Sequence, residues 1–263
     1  MKRSTVVRLD LWLLSSLVWR EIRNRLAGGQ VGFLWLVVSP LMLLAVYAFV
    51  FGYIFNARVP AGLEMPFIAW LAVALWPWLA FSESLLRGSQ AIVENSALIS
   101  KVALSREILV LSSQTAVFLL HLTGYVFVLI VIQILGTDLN WLGLPYLLLV
   151  LVTLYLFAVG LGLMLAAILV YVRDLEQVLP TFIMFWFFMT PILYAQEILP
   201  AAMVRWLQLN PMLWWMEEIR GALLHGKLWP DWTFVWMLSL ALATFWLGSM
   251  LFRRLSPSFE DFL

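Results

Sequence analysis

Cysteine is missing from the chain. That excludes disulfides and thiolate metal sites, and it leaves the redox compartment without a marker. Histidine is nearly missing: His121 and His225 are the only two. They fall on opposite sides or at different depths in the membrane topology read below, so His121 reads as a buried hydrogen-bonded residue rather than a ligand. No HExxH, glycine-rich phosphate loop or GxSxG motif occurs, so no visible site binds ATP or forms a covalent intermediate. Charge is scarce as well, at 12% of residues against about 25% in soluble domains.

The scarcity of charge is patterned. Residues 26–57, 65–82, 108–137, 139–172, 177–196 and 232–252 contain no Asp, Glu, Lys or Arg. A helix rises about 1.5 Å per residue, so roughly 20 apolar residues match a hydrocarbon core of about 30 Å. A charge at the centre of such a span costs about 2.5–3.5 kcal/mol. These runs are continuous, not alternating, and longer than barrel strands. In lipid the backbone must satisfy itself, so they read as helices. The expected architecture is an all-α membrane protein of six transmembrane helices forming one domain over residues 1–263.

Basic residues set its orientation. Twelve fall on one side, in the N-terminal segment, the second–third and fourth–fifth connections and the tail, and four on the other. Positive charge favours the cytoplasm, so both termini are expected inside. The net charge of +1 hides this asymmetry and says nothing about nucleic acid, and no nucleic-acid partner is expected. No acid sits at mid-span apart from Glu83 near a span end, and no internal repeat is evident. An ion-coupled secondary transporter normally needs the first and often shows the second. If the chain transports, its energy comes from a partner.

Three segments are not simple spans. Residues 9–29 read as an amphipathic interface helix, with Leu11, Leu14, Val18, Ile22 and Leu26 on one face and Gly28-Gly29 as a stop. Residues 94–107 read as a cytoplasmic surface segment in which Asn95 and Ser96 cap a short helix running toward Lys101; just before it, Glu83 and Arg87 are spaced to pair. Residues 197–226 are divided by Pro200 and Asn210-Pro211 into two short apolar pieces, 201–209 and 212–225, expected as re-entrant outer helices. Pro191 breaks the fifth run near its outer end.

With these features in view, the chain resembles the membrane subunit of ABC-2 exporters, in the branch that moves lipid-linked polysaccharides such as O-antigen, capsule and teichoic acid. Gly32-Phe33-Leu34-Trp35, Pro40-Leu41 and Phe49-Val50-Phe51 are similar to the family's first-span pattern. Glu94 to Val102 resembles its cytoplasmic coupling segment, although Leu104-Ser105-Arg106-Glu107 stands where the family usually has F-P-R-E. Arg173-Asp174-Leu175 matches the turn after the fourth span. Thr190 to Tyr194, Leu199-Pro200, Leu209-Asn210-Pro211 and Arg220 match the outer signature.

The resemblance implies a homodimeric, multi-pass permease of a bacterial inner membrane. Two ATP-binding cassette subunits would dock beneath it and carry the ATP and Mg, with no cofactor in this chain and lipid-linked polysaccharide as cargo. Asn95, Leu98, Ile99, Lys101, Arg106, Arg173 and Asp174 are then expected to couple to the ATPase. Pro191, Asn210, Pro211 and Arg220 form the outer gate, and Trp186, Tyr194 and Trp214 line the substrate path. Most of the 15 tryptophans, including Trp141, Trp229 and Trp232, read as an interfacial belt. The alternatives are an ABC-2 exporter of drugs or small lipids and a membrane-embedded transferase; the second would need convergent acids or histidines.

Overall fold

The computed structural model describes residues 2–26, 32–57, 59–60, 65–99 and 105–262, and the side chains of these except 2–10, 32–37 and 98. Gly28, Gly29 and Lys101 lie outside the described residues, as does the side chain of Leu98.

The apolar runs fold as helices, and among the described residues there is no strand. In chain order they are α1 (Lys2–Leu26), α2 (Gly32–Tyr47), α3 (Phe67–Glu94), α4 (Ser96–Ile99), α5 (Glu107–Ile134), α6 (Leu144–Tyr171), α7 (Leu175–Phe188), α8 (Ala201–Leu207), α9 (Pro211–Leu224) and α10 (Trp232–Leu255). Helices α3, α5, α6 and α10 are long and apolar enough to cross a membrane, which makes this a multi-pass membrane protein. Two further apolar helices are shorter. α2 carries Pro40 and passes into π turns over Ala48–Ile54. α7 has 14 residues, about 21 Å of helix, so the fifth apolar run is only partly a regular helix.

The centre of the bundle is α3, nearly every side chain of which is buried from Ala69 to Phe81. It packs on α5 and α6, and α6 packs on α10. Lipid offers apolar side chains no advantage in leaving it, so close helix contact comes from small residues. Gly160 and Gly248 meet at the α6–α10 crossing: a Cβ on Gly248 would stand 2.2 Å from the Gly160 carbonyl oxygen. On α5, Gln114 fills the space beside Gly88 of α3 and Gly162 of α6, and its amide donates to the Ala158 carbonyl (2.9 Å).

The chain alternates direction, so the bundle has two polar ends. One gathers the C-terminal ends of α3, α6 and α10 with α4 and the start of α5. The other holds the α5–α6 turn, α8, α9 and the start of α10; there the Asn140 amide donates to the Leu223 carbonyl (2.8 Å).

Two local expectations change. Helix α1 starts at Lys2 rather than near residue 9, and the side chains it packs inward are Leu13, Leu14 and Leu17, while Leu11 stays exposed. Glu83 does not pair with Arg87. It takes Arg25 (2.7 Å) and His121 (2.7 Å) instead, because both are more buried than Arg87 and need a hydrogen-bond partner; Arg87 turns to Glu94 (3.7 Å). Asn95 does precede a short helix, and its side-chain amide donates back to Ala91 O (2.8 Å).

Candidate functional site

The irregular backbone lies at the α9 end. Helix α7 stops at Phe188 because Pro191 has no amide to continue it and crowds the residue before it. The Thr190 hydroxyl then donates back to Trp186 O (2.8 Å) and the Tyr194 hydroxyl to Phe188 O (3.1 Å). Helix α9 begins at Asn210-Pro211. The Asn210 Oδ1 accepts from Met212 N (3.1 Å), a side-chain cap with proline at the first helical position. The same oxygen accepts from Trp186 Nε1 (2.8 Å), while Nδ2 donates to Met189 O (3.0 Å) and to Thr190 Oγ1 (2.9 Å). One asparagine therefore caps α9 and ties it to the frayed end of α7.

A second tie comes from Arg220, which is 2% exposed. Its Nη1 donates to Pro191 O (2.8 Å) and Nη2 to Ile192 O (3.1 Å). These are carbonyls that the break in α7 leaves without helical partners. The guanidinium lies 3.6 Å from the centroid of the Trp70 ring near the start of α3, and Glu217 is 3.9 Å away. Burial pulls the guanidinium down to about 10, against the opposing pull of Glu217, Tyr125 and Glu197. It remains a cation at neutral pH, held by carbonyl dipoles and an aromatic face.

Next to it, the buried carboxylate of Glu218 accepts from Tyr146 (2.5 Å) and from Lys227 (2.7 Å). Lys227 also reaches Asp231 (2.7 Å), which caps α10 through Thr233 N (2.9 Å) and Phe234 N (3.3 Å). Burial opposes the charge on Lys227, yet the hydrogen bonds to Asp231 and Glu218 outweigh it and raise the ammonium above its ordinary value. For Asp231, burial is likewise outweighed, by Lys227 and the two backbone amides, and the carboxyl is lowered.

At the opposite end, Arg106 binds the Ser256 carbonyl and the Glu260 carboxylate. Glu107 pairs with Arg253 (2.8 Å), Arg173 donates to Phe262 O (3.0 Å) and Tyr171 to Leu255 O (2.9 Å). The C-terminal turn, Ser256–Asp261, is thereby fastened across the starts of α5 and α7. Arg20 of α1 reaches Asn95 Oδ1 (3.3 Å), so α1 is joined to α3 at the residue preceding α4.

The family description "ABC-2 type transporter" matches residues 13–224. This chain belongs to the ABC-2 type transporter family. It is 33% identical over 186 residues to the O-antigen export system permease protein of Myxococcus xanthus, covering 69% of this chain and 68% of that one. To a Klebsiella pneumoniae protein of the same description it is 26% identical over 188 residues, 70% of each. To the polysialic acid transport protein of Escherichia coli it is 22% identical over 240 residues, 91% of this chain and 92% of the relative.

In this ABC-2 chain Pro191, Asn210, Pro211 and Arg220 come together as one cluster. Asn95, Ile99, Arg106, Arg173 and Asp174 share the other end. Ile99 is turned inward, in the apolar cluster that holds Leu17, Ile108 and Phe259; Arg173 and Asp174 are exposed. The three path aromatics separate. Trp186 is built into the bundle, its indole N–H spent on Asn210 and its ring edge-on to Trp78 (6.0 Å) and Phe81 (5.4 Å). Tyr194 closes its own turn. Trp214 borders a polar cleft.

Sequence reading missed Trp70, Tyr146, Lys227, Asp231 and Glu260. A usable signal existed for two of them: Lys227 and Asp231 are four apart, and Asp231 stands immediately before an apolar run as a capping residue does. Nothing in the sequence marks Trp70, one of 15 tryptophans, as the ring beneath Arg220.

Proposed function

We propose that this chain is the membrane permease subunit of an ATP-driven exporter that moves lipid-linked polysaccharide across a bacterial inner membrane. The observation that carries the reading is the 33% identity, over two thirds of both chains, to an O-antigen export system permease protein. The chain has no phosphate-binding loop of its own. ATP and Mg therefore belong to two ATP-binding cassette subunits under the basic end, which the excess of Lys and Arg puts in the cytoplasm. The remaining two spans are α2 with its π turns and α7 with the irregular segment after it.

A second copy completes the permease. Helices α2 and α7 lie together on one side of α3, where Tyr47 stacks on Phe187 (5.5 Å). They present Met42, Val46, Phe49, Val178, Phe182 and Phe185 outward. An apolar face made from the two least regular spans suits a two-fold contact better than lipid, since broken backbone at membrane depth needs protein or water over it.

The parts then have assigned tasks. Asn95, Leu98, Lys101, Arg106, Arg173 and Asp174 form the ATPase-facing end, with Ile99 seating α4 in the core. Pro191, Asn210, Pro211 and Arg220 form the outer gate, and Trp214 faces the polymer's exit. Helix α3 connects the two ends: Asn95 follows its last turn and Trp70 lies in its first, about 38 Å apart. A shift of α3 driven from below moves the ring on which Arg220 rests, and Arg220 holds the end of α7.

The test is co-purification with the cassette subunit and reconstitution in liposomes. ATP hydrolysis stimulated by lipid-linked polysaccharide, and not by short-chain phospholipid or drug-like amphiphiles, is the expected result. Stimulation by the small amphiphiles alone would replace this reading with the small-molecule exporter.

A further inference from the structure

A cleft of about 380 Å³ opens beside α9 at the outer-gate end, within the range of about 300–1,000 Å³ typical of small-molecule sites. One wall is the ring of Trp214. Its indole N–H is already donated to Gln208 O (3.2 Å), so what it can offer a ligand is an apolar face. Around it stand Gln196, Gln208, Glu217 and Thr233, with Glu218 and Lys227 in the lining.

The hydrogen-bonding capacity of these groups divides in two. Glu218 and Lys227 are consumed by each other, by Tyr146 and by Asp231. Glu217 accepts only at Oε1, from Gln196 Nε2 (2.9 Å), which leaves its Oε2 and the Gln196 Oε1 open among the described residues. The Gln208 side-chain amide and the Thr233 hydroxyl make no hydrogen bond among the described residues. The cleft thus holds a flat apolar face ringed by planar amide and carboxylate edges with capacity to spare. Pairs of vicinal hydroxyls on a ring with an apolar C–H face meet that arrangement.

The charge narrows the class. Two carboxylates, one ammonium and the imidazole of His225 line the cleft, and the ammonium is held between Glu218 and Asp231 at 2.7 Å each. No lysine or arginine of the lining is free to meet an acidic ligand, and Glu217 repels one. Phosphate, uronate and sialate are disfavoured by the same residues that suit hydroxyls.

We infer that the cleft bounded by Trp214, Gln208, Glu217 and Thr233 is a subsite for an uncharged sugar unit, which stacks on Trp214 and hydrogen-bonds to the open amide and carboxylate edges. The inference rests on the polysaccharide-export reading and specifies the sugar chemistry met at the outer gate.

Saturation-transfer NMR on the purified full-length chain in lipid nanodiscs tests it without the ATPase. The probes are mannotriose, maltotetraose and an N-acetylglucosamine trimer as neutral ligands, with a sialic acid trimer as the acidic one. We expect transfer to at least one neutral probe and at least fivefold less to the sialic acid trimer. Trp214→Ala and Gln208→Ala should each reduce the neutral signal at least fivefold, whereas Trp229→Ala, an exposed tryptophan outside the cleft, should not. Gel filtration confirms that each variant is folded, and Thr233→Val provides a third, conservative change should either of the first two fail to fold. Equal transfer to the acidic trimer, no transfer to any neutral probe, or a neutral signal unchanged in the folded cleft variants would overturn the subsite. A chain that exports polymer in cells yet binds no neutral probe loses the subsite and keeps the export reading; one that binds but does not export loses the reverse.

Discussion

The guanidinium of Arg220 rests 3.6 Å from the centroid of the Trp70 ring, so the short helix α9 and the core helix α3 meet through a cation and an aromatic face. From that seat Arg220 donates to the carbonyls of Pro191 and Ile192. One side chain thus links the break in α7 to the helix that runs the length of the bundle.

Arg220→Lys keeps the charge and loses the planar fork and the stack. A desolvated cation–π contact contributes about 2 kcal/mol and each orphaned buried carbonyl costs about 1 kcal/mol or more. We expect Arg220→Ala to lower stability by about 4 kcal/mol and Arg220→Lys by about 2 kcal/mol, read as earlier thermal unfolding in detergent. A lysine variant as stable as the wild type would show that charge alone suffices.

Asn210→Asp separates two tasks. Aspartate caps α9 as well as asparagine does, but it cannot donate to Met189 O or Thr190 Oγ1 and sets an anion against a carbonyl. Stability should fall by about 1–3 kcal/mol, with α9 still helical and the α7 end released. Faster proteolysis between residues 189 and 200 in Asn210→Asp than in the wild type is the readout; equal rates contradict the tether.

Gly248→Ala should push α10 off α6, since the new Cβ would lie 2.2 Å from Gly160 O and that neighbour is backbone. Overpacking costs about 1–3 kcal/mol, so less folded protein is recovered. Gly226→Ala meets no neighbour within 4 Å, but its φ of +71° makes its cost local strain, without displacement of α10. Cysteine cross-linking between α6 and α10 distinguishes the two variants.

Asp231 and Lys227 give a pH signature with opposite signs at its two edges. The lowered Asp231 contributes stability above its ordinary value of 3.8 and loses it as pH falls through the depressed one. The raised Lys227 contributes below its ordinary value of 10.5 and loses it as pH rises through the raised one. The stability gap between wild type and Asp231→Asn should therefore be constant from about pH 5 to pH 9 and close below about pH 4. Asp231 is half exposed, so the gap itself should stay under about 1 kcal/mol. A gap that varies across the neutral range would contradict the pairing.

Much of this arrangement is written locally. Charge-free runs mark α3, α5, α6 and α10 because lipid forbids charge over a fixed length. Pro200 and Asn210-Pro211 mark the ends of α8 and α9 because proline acts on its own neighbourhood. What stays hidden depends on pairing across the bundle. Glu83 has Arg87 one turn away, and choosing Arg25 and His121 instead requires knowing that both are buried beside it. Trp186 and Trp214 look alike in sequence. Only the fold turns one into the aromatic core and leaves the other beside a cleft.

We propose that this chain carries polysaccharide across the inner membrane. The most direct measurement is to delete it from its own bacterium, restore it on a plasmid, and locate the lipid-linked polymer by immunodetection before and after permeabilising the cells. Export by this chain predicts polymer at the surface of restored cells and polymer trapped inside deleted cells, detectable only after permeabilisation. Surface polymer that is unchanged by the deletion would contradict it.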